Sequence, residues 1–166
     1  MADVVESVLI VTGDCTWVNT FDAAFRCGSG PSWADQPDDP KPCYSLHNLH
    51  PVPEDVQRRG YEKAGRLWCR RYWKCDGDLI RCAVLRGLNC RFYRMLTPGH
   101  APTDAFSYAA YRFAPAQFQL VLIDPDKNQL EWHRMDVKWN QTTMTPHVTN
   151  LEEALNHSGV PLPEWG

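Results

Sequence analysis

Positive charge is concentrated in one part of the chain, residues 57–94. This stretch holds eleven lysines and arginines but only three carboxylates, so its formal charge is +8. The remaining residues carry a formal charge of −11, and the whole chain carries −3. Nine of the eleven cations are arginines, which favour bidentate contacts with phosphate or carboxylate groups. Because the two signs are separated along the sequence, we expect a local electrostatic footprint for an anionic partner.

Length and composition indicate one folded domain. A chain of 166 residues, 43% hydrophobic and 22% charged, is long enough to bury its own core. The first residues lack the basic start of a signal peptide, and no apolar run approaches the roughly 18 residues of a transmembrane helix. We therefore expect a cytoplasmic or nuclear protein without a membrane partner, whose seven cysteines stay reduced.

The first part of the chain predicts a strand, a helix and a long loop. Residues 7–12 form a short β-branched apolar run, typical of a buried strand. Asp14 follows at the position of a helix N-cap, and apolar residues spaced by three and four continue to Phe25. Eight glycines and prolines in residues 28–53 predict a long Pro-rich loop. A second helix begins after this loop and is expected to end near Leu67.

The remainder of the chain predicts mostly strands. Asp76-Gly77 is a pair typical of a β-hairpin turn, and residues 86–89 form a second turn. The predicted strands cover residues 68–75, 79–85, 90–96, 106–113, 118–124 and 129–139. A C-terminal helix is expected to begin after Asn150. The predicted fold class is therefore α+β: a single domain over residues 1–166, with an antiparallel sheet of about five or six strands and about three helices.

Arginines and aromatic rings are interleaved in the cationic stretch. In the predicted strand 68–75, alternation places Trp68, Arg70 and Tyr72 on one face. This pattern suits single-stranded nucleic acid, because rings stack on bases and guanidiniums neutralise phosphates. The residues expected to contact anions are Arg59, Lys63, Arg66 and Arg70, and those expected to stack are Trp68 and Tyr72. The leading prediction is a non-enzymatic binding or regulatory protein that engages nucleic acid, such as RNA, or an acidic protein.

Two alternatives for the cationic stretch stay open. The arginine stems can cover hydrophobic rings on an ordinary solvated face that binds no ligand. The cations can also pair internally with the acidic loop, whose carboxylates lie at Asp35, Asp38 and Asp39.

The Pro-rich loop contains residues that can bind zinc. Thiolate and imidazole groups are the preferred zinc ligands, and a bound ion would keep so irregular a loop folded. The candidate ligands are Cys27, Cys43, His47 and His50. A second candidate set consists of four thiols, Cys69, Cys75, Cys82 and Cys90. For the two histidines, hydrogen bonding to backbone groups of the loop is the alternative.

One cysteine has the environment of a nucleophile. Cys15 lies where the predicted strand leads into a helix, whose dipole would stabilise the thiolate. A helix-borne cysteine followed by an antiparallel sheet that supplies a histidine resembles the layout of papain-like cysteine proteases. The resemblance implies a cysteine hydrolase, including the self-releasing leader type, with Cys15 as nucleophile and His100 as base. His133 and His147 are further candidate bases.

Overall fold

A computed structural model describes residues 3–26, 30–33, 44–124, 126–138, 141–150 and 163–165. The strands are β1 (Val4–Thr12), β2 (Arg81–Arg86), β3 (Cys90–Pro98), β4 (Gln117–Asp124), β5 (Gln129–Lys138) and β6 (Gln141–Asn150). The helices are α1 (Cys15–Phe25), α2 (Leu46–Leu49), α3 (Glu54–Arg59), a π-helical turn (Tyr61–Gly65), α4 (Arg66–Tyr72) and α5 (Thr103–Arg112). The predicted class, α+β with an antiparallel sheet, is confirmed. None of the described helices is both long and apolar enough to cross a membrane.

The six strands form one antiparallel sheet in the order β2-β3-β1-β4-β5-β6. β1 is central because its sequence is apolar on both faces, as expected from its continuous hydrophobic run. Leu9 and Val11 are fully buried on one face, and Val8 and Ile10 are buried on the other. The rest of the sheet is arranged around this strand.

The helices cover the face of the sheet that carries Leu9 and Val11. Asp14 caps α1 by accepting a 2.9 Å hydrogen bond from the amide of Thr16, as predicted. Phe21 and Phe25 of α1 are fully buried in the core on this side. The second face of the sheet has its own buried cluster, drawn from strand residues: Val8, Ile10, Val121 and Leu130.

The segment 68–75, predicted as a strand, lies largely in α4. Cys69 and Trp73 are four residues apart and are both fully buried, which is the spacing of one helix face. Alternation of aromatic and charged residues matched a strand, but burial follows the helical period. Asp76-Gly77 is therefore not a hairpin turn. It lies in the irregular stretch that connects α4 to β2.

The segment 106–113, also predicted as a strand, lies in α5. Its aromatic content favoured a strand, whereas the buried residues Ala105, Phe106, Ala109 and Ala110 repeat at helical spacing. Small alanines allow this helix to approach the sheet closely.

The helix predicted after the Pro-rich loop begins where it was expected, but it is not one continuous helix and does not end near Leu67. It is interrupted at Gly60, whose φ of +85° lies in the region that favours glycine, and it continues to Tyr72.

β6 and α2 lie in segments that were expected to be loops. β6 was not predicted, because its threonine-rich sequence lacks a hydrophobic alternation. Asn150 ends β6, and the C-terminal helix predicted after it lies outside the described residues. The described part of the Pro-rich loop includes α2, a single helical turn.

Candidate functional site

The helix α4 presents three different surfaces around its buried side. Leu67 and Arg71 point away from the core, and 68% of Leu67 is exposed. Arg66 and Arg70, one turn apart, lie on one flank of the helix, while Trp68 and Tyr72 lie on the other. The predicted anion-contact and stacking residues are therefore not on one common face.

The basic flank of α4 is paired internally. Arg66 Nη2 lies 3.2 Å from Asp76 Oδ2, and Arg70 binds both carboxylate oxygens at 2.5 and 3.1 Å. Hydrogen bonding from Arg70, followed by that from Arg66, lowers the pKa of Asp76 below its ordinary value. Arg59 and Lys63 are exposed and form no ion pair with any described residue. Two of the four predicted anion contacts thus share one carboxylate, that of Asp76. The carboxylates of the acidic loop, Asp35, Asp38 and Asp39, lie outside the described residues.

We expect acidification to weaken this pairing. Because the folded-state pKa of Asp76 is lowered, its contribution to stability is present above the unfolded-state pKa and is lost as pH falls through the folded value. Urea denaturation at neutral and acidic pH should show a smaller pH dependence for Asp76→Asn than for the wild type. Glu62→Gln, an exposed carboxylate on the π turn, is the matched control. Identical pH profiles for Asp76→Asn and the wild type would contradict the assignment.

The aromatic flank of α4 forms a cluster with rings from two other segments. The imidazole of His50 stacks on Tyr108 of α5, with centroids 4.3 Å apart and planes at 20°. It also contacts Trp68 at 5.3 Å and Tyr72 at 5.7 Å, and these two rings lie 4.8 Å apart. We call these four residues the aromatic surface. Tyr72 is 39% exposed and Tyr108 is 42% exposed, so both rings are accessible to a ligand.

Partly buried hydrogen bonds hold the aromatic surface in place. Trp73 Nε1 donates to the carbonyl of His50 at 3.0 Å, which fixes the backbone at the end of α2. Asp78 holds the beginning of α2 by accepting from Ser45 Oγ and, at 2.8 Å, from the amide of Leu46. Arg112 Nη1 donates to the carbonyl of Leu49 at 3.0 Å. Three separate anchors therefore position His50 between α4 and α5.

The aromatic surface is neutral, with cations at its margin. Burial lowers the pKa of His50, so its imidazole is uncharged at neutral pH. Nδ1 of this ring is buried and has no hydrogen-bond partner within the described ranges. The guanidinium of Arg71 lies 5.6 Å from the centroid of the Tyr72 ring. Arg112 lies one helical turn after Tyr108. Each exposed tyrosine of the aromatic surface thus has an arginine near it on its own helix.

The histidines of the predicted zinc site have structural roles. His47 Nδ1 accepts a 2.9 Å hydrogen bond from the amide of Val52, and His50 belongs to the aromatic surface. Burial lowers the pKa of His47 as well. Cys27 and Cys43 lie outside the described residues. Among the residues that are described, no three His, Cys, Asp or Glu side chains form a group that could hold a metal.

The four-thiol set is not brought together. Cys82 pairs with Met95 and Cys90 pairs with Thr12, and alternation along β3 places these two thiols on opposite faces of the sheet. The other two, Cys69 and Cys75, are buried in the core on the helical side. Burial is the main reason that the pKa of Cys69 is raised to about 12. These thiols behave as small hydrophobic residues.

The predicted nucleophile and base are far apart. Cys15 follows the end of β1 at Thr12, whereas His100 follows Pro98, which pairs with Val4 at the start of β1. Eight residues of strand separate the two ends, a distance of about 26 Å. A proton cannot pass directly between groups at this separation. The described structure therefore does not bring Cys15 and His100 together.

Sequence reasoning missed two members of the aromatic surface. Tyr108 was assigned to a strand, and His50 was considered only as a metal ligand or a loop histidine. The spacing of Asp104, Tyr108 and Arg112 by four residues is the helical signal that could have revealed Tyr108. Comparison with protein-family models, with curated proteins and with solved structures finds no match. The geometry of the chain itself is therefore the basis for a functional proposal.

Proposed function

We propose that this protein is a non-enzymatic binding protein that holds single-stranded nucleic acid on its aromatic surface. The observation that carries the proposal is the convergence of His50, Trp68, Tyr72 and Tyr108 from three segments, with two of the rings about 40% exposed. Stacking of a base on an exposed aromatic ring contributes about 1–3 kcal/mol and tolerates any sequence. Two such rings support weak, sequence-tolerant binding.

Electrostatic support comes from the cations that remain available. Arg71 and Arg112 flank the rings. The exposed Arg59 and Lys63 lie in α3 and in the π-helical turn, which directly precede α4. Arg66 and Arg70 contribute less because Asp76 holds them. Two to four phosphate contacts give a slope of log K against log salt between about −1.4 and −2.8 for a single strand. The salt dependence of binding should accordingly be modest.

An acidic protein is the competing partner for this surface. A specific protein interface usually covers about 800 Å² per partner around an apolar centre. On α4, the large aliphatic side chain that is exposed is Leu67, and it lies on the outer side, away from the aromatic flank. Rings bordered by guanidiniums occur in protein interfaces as well, so the position of Leu67 outside the aromatic flank is what favours a nucleic-acid strand here.

The test is fluorescence anisotropy of a short fluorescein-labelled oligouridylate. We expect saturable binding by the wild type that weakens between about 50 and 200 mM salt. The double variant Tyr72→Ala, Tyr108→Ala should bind at least about thirtyfold more weakly, since two stacking contacts are lost. Trp17→Ala is the matched control, because this ring is 41% exposed on α1 and outside the aromatic surface.

Three outcomes of this titration would count against the proposal. Absence of oligouridylate binding by the folded wild type overturns it directly. Equal binding by the wild type and the double variant would show that the aromatic surface is not the contact. Binding of oligoglutamate in preference to oligouridylate would instead support an acidic protein as the partner.

A further inference from the structure

The second face of the sheet holds a short segment of the chain in a defined site. The ring of Trp165 lies 4.9 Å from the guanidinium of Arg81 and 4.5 Å from that of Arg94. Arg94 Nη1 also donates to the carbonyl of Pro163 at 3.2 Å. The two arginines belong to neighbouring strands, β2 and β3, and share one face of the sheet with Glu6 of β1. We call Arg81, Arg94 and Glu6 the arginine clamp.

The contacts of residues 163–165 alternate along the segment. Pro163 is buried, Glu164 is exposed and Trp165 is partly buried. Side chains of an extended peptide point alternately toward and away from the surface that binds it. Arg94 donates a hydrogen bond to the main-chain carbonyl of Pro163, and both arginines contact the side chain of Trp165. This combination of a backbone contact with alternate side-chain contacts is typical of peptide recognition.

The charge balance of the clamp favours a peptide over a nucleotide. Arg94 Nε donates to Glu6, so this carboxylate already neutralises the guanidinium that contacts both Pro163 and Trp165. The side chains of Arg94 and Glu6 are only 20% and 25% exposed, which limits solvent screening of the pair. Glu6 would oppose the attraction of a phosphate to the two guanidiniums, whereas a neutral indole keeps its cation–π contacts without that repulsion. The clamp thus suits an aromatic ring together with a peptide carbonyl.

We propose that the second face of the sheet is a peptide-recognition site for an extended segment with proline and tryptophan two residues apart. Residues 163–165 occupy this site in cis and compete with an external peptide of the same kind. The site lies on the opposite side of the sheet from the helices, so the proposal is independent of nucleic-acid binding at the aromatic surface.

The test uses the full chain and a fluorescein-labelled peptide with the sequence of residues 158–166. The Trp165→Ala chain has no ring of its own in the clamp and should bind this peptide at least about tenfold more tightly than the wild type. In the wild type, the tethered segment competes with the peptide at an effective concentration in the millimolar range. Trp17→Ala, an exposed tryptophan outside the clamp, should bind like the wild type. Adding Arg94→Lys to Trp165→Ala should abolish the gain, because a lysine cannot stack on the indole with a planar group.

Several results would overturn this assignment. If a folded Trp165→Ala chain binds the peptide no better than the wild type, residues 163–165 do not compete for the site. If a peptide with alanine at the tryptophan position binds as well as the normal peptide, the clamp does not recognise the indole ring. A gain of oligouridylate binding that depends on Arg81 would indicate a nucleobase site instead. If the alanine variant does not fold, Trp165→Leu keeps apolar bulk while removing the aromatic contact, and the same comparisons apply.

Discussion

Trp73→Ala is expected to lower the free energy of unfolding by about 3–5 kcal/mol and to abolish ligand binding at the aromatic surface. The indole is fully buried and contacts Trp68 edge to face at 5.4 Å. Its Nε1 also donates to the carbonyl of His50. The substitution therefore removes a large core side chain and leaves a carbonyl without its donor, at the point where α4 meets the end of α2. Urea denaturation measures the first effect, and oligouridylate anisotropy measures the second.

Trp73→Phe separates the two contributions. It keeps most of the buried volume but removes the donor to His50, so we expect a smaller loss of about 1–3 kcal/mol. Trp17→Ala, an exposed tryptophan on α1, should stay within about 0.5 kcal/mol of the wild type. A Trp73→Ala chain as stable as the Trp17→Ala control would show that the core is not organised around this ring as described.

Elements with strong local signals could be predicted from the sequence. The continuous apolar run of β1 and the Asp14 cap of α1 needed no tertiary information. The cap and the end of β1 at Thr12 were found as predicted, whereas β1 begins at Val4, before the predicted start at Ser7. The turn at residues 86–89 joins β2 to β3 because its glycine and asparagine suit a reversal of the chain. β4 and β5 were also predicted to within a residue or so of their observed bounds.

Segments whose local pattern fits two structures could not be predicted. The sequence of α4 alternates rings and charges like a strand, and it also repeats Cys69 and Trp73 at helical spacing. Tertiary burial of those two residues decides between the two patterns. β6 was missed for the opposite reason, since it gains its structure from pairing with β5 and not from a hydrophobic face of its own.

The candidate site, too, could be predicted from the sequence only in part. Trp68 and Tyr72 were predicted as stacking residues, and both belong to the aromatic surface. Their partners His50 and Tyr108 are distant in sequence and are brought to them by α2 and α5. The pairing of Arg70 with Asp76 depends on whether residues 66–72 form a helix or a strand. An error in one secondary-structure assignment therefore changed which cations remain available for a partner.

Asp78→Ala is the second substitution with a large expected effect, a loss of about 3–5 kcal/mol in the free energy of unfolding. This carboxylate accepts from Ser45 Oγ and from the amides of Leu46 and Leu79, the latter two at 2.8 Å. Alanine leaves three partly buried donors without an acceptor, and each costs about 1–3 kcal/mol before the structure relaxes. Because Asp78 holds the beginning of α2, His50 should also lose its position, and oligouridylate binding should weaken in parallel.

Asp78→Asn is expected to be milder and to change the pH dependence of stability. The amide keeps one acceptor oxygen but cannot ionise. Burial raises the pKa of Asp78 above its ordinary value near 3.8, and the hydrogen bonds that it accepts oppose this shift only in part. A raised folded-state pKa means that the stabilisation from protonated Asp78 is present at low pH and is lost as pH rises through that value. The stability of the wild type relative to Asp78→Asn should therefore decrease with rising pH in this window.

Urea denaturation of both chains across the acidic range measures this difference. Asp104→Asn is a suitable control, because its carboxylate is exposed in the first turn of α5 and is not among the residues that hold α2. A wild-type stability that rises relative to Asp78→Asn over the same window would mean that the three accepted hydrogen bonds outweigh burial and that Asp78 is ionised in the folded chain. Unchanged stability in Asp78→Ala would instead mean that α2, and with it the aromatic surface, is held by other contacts.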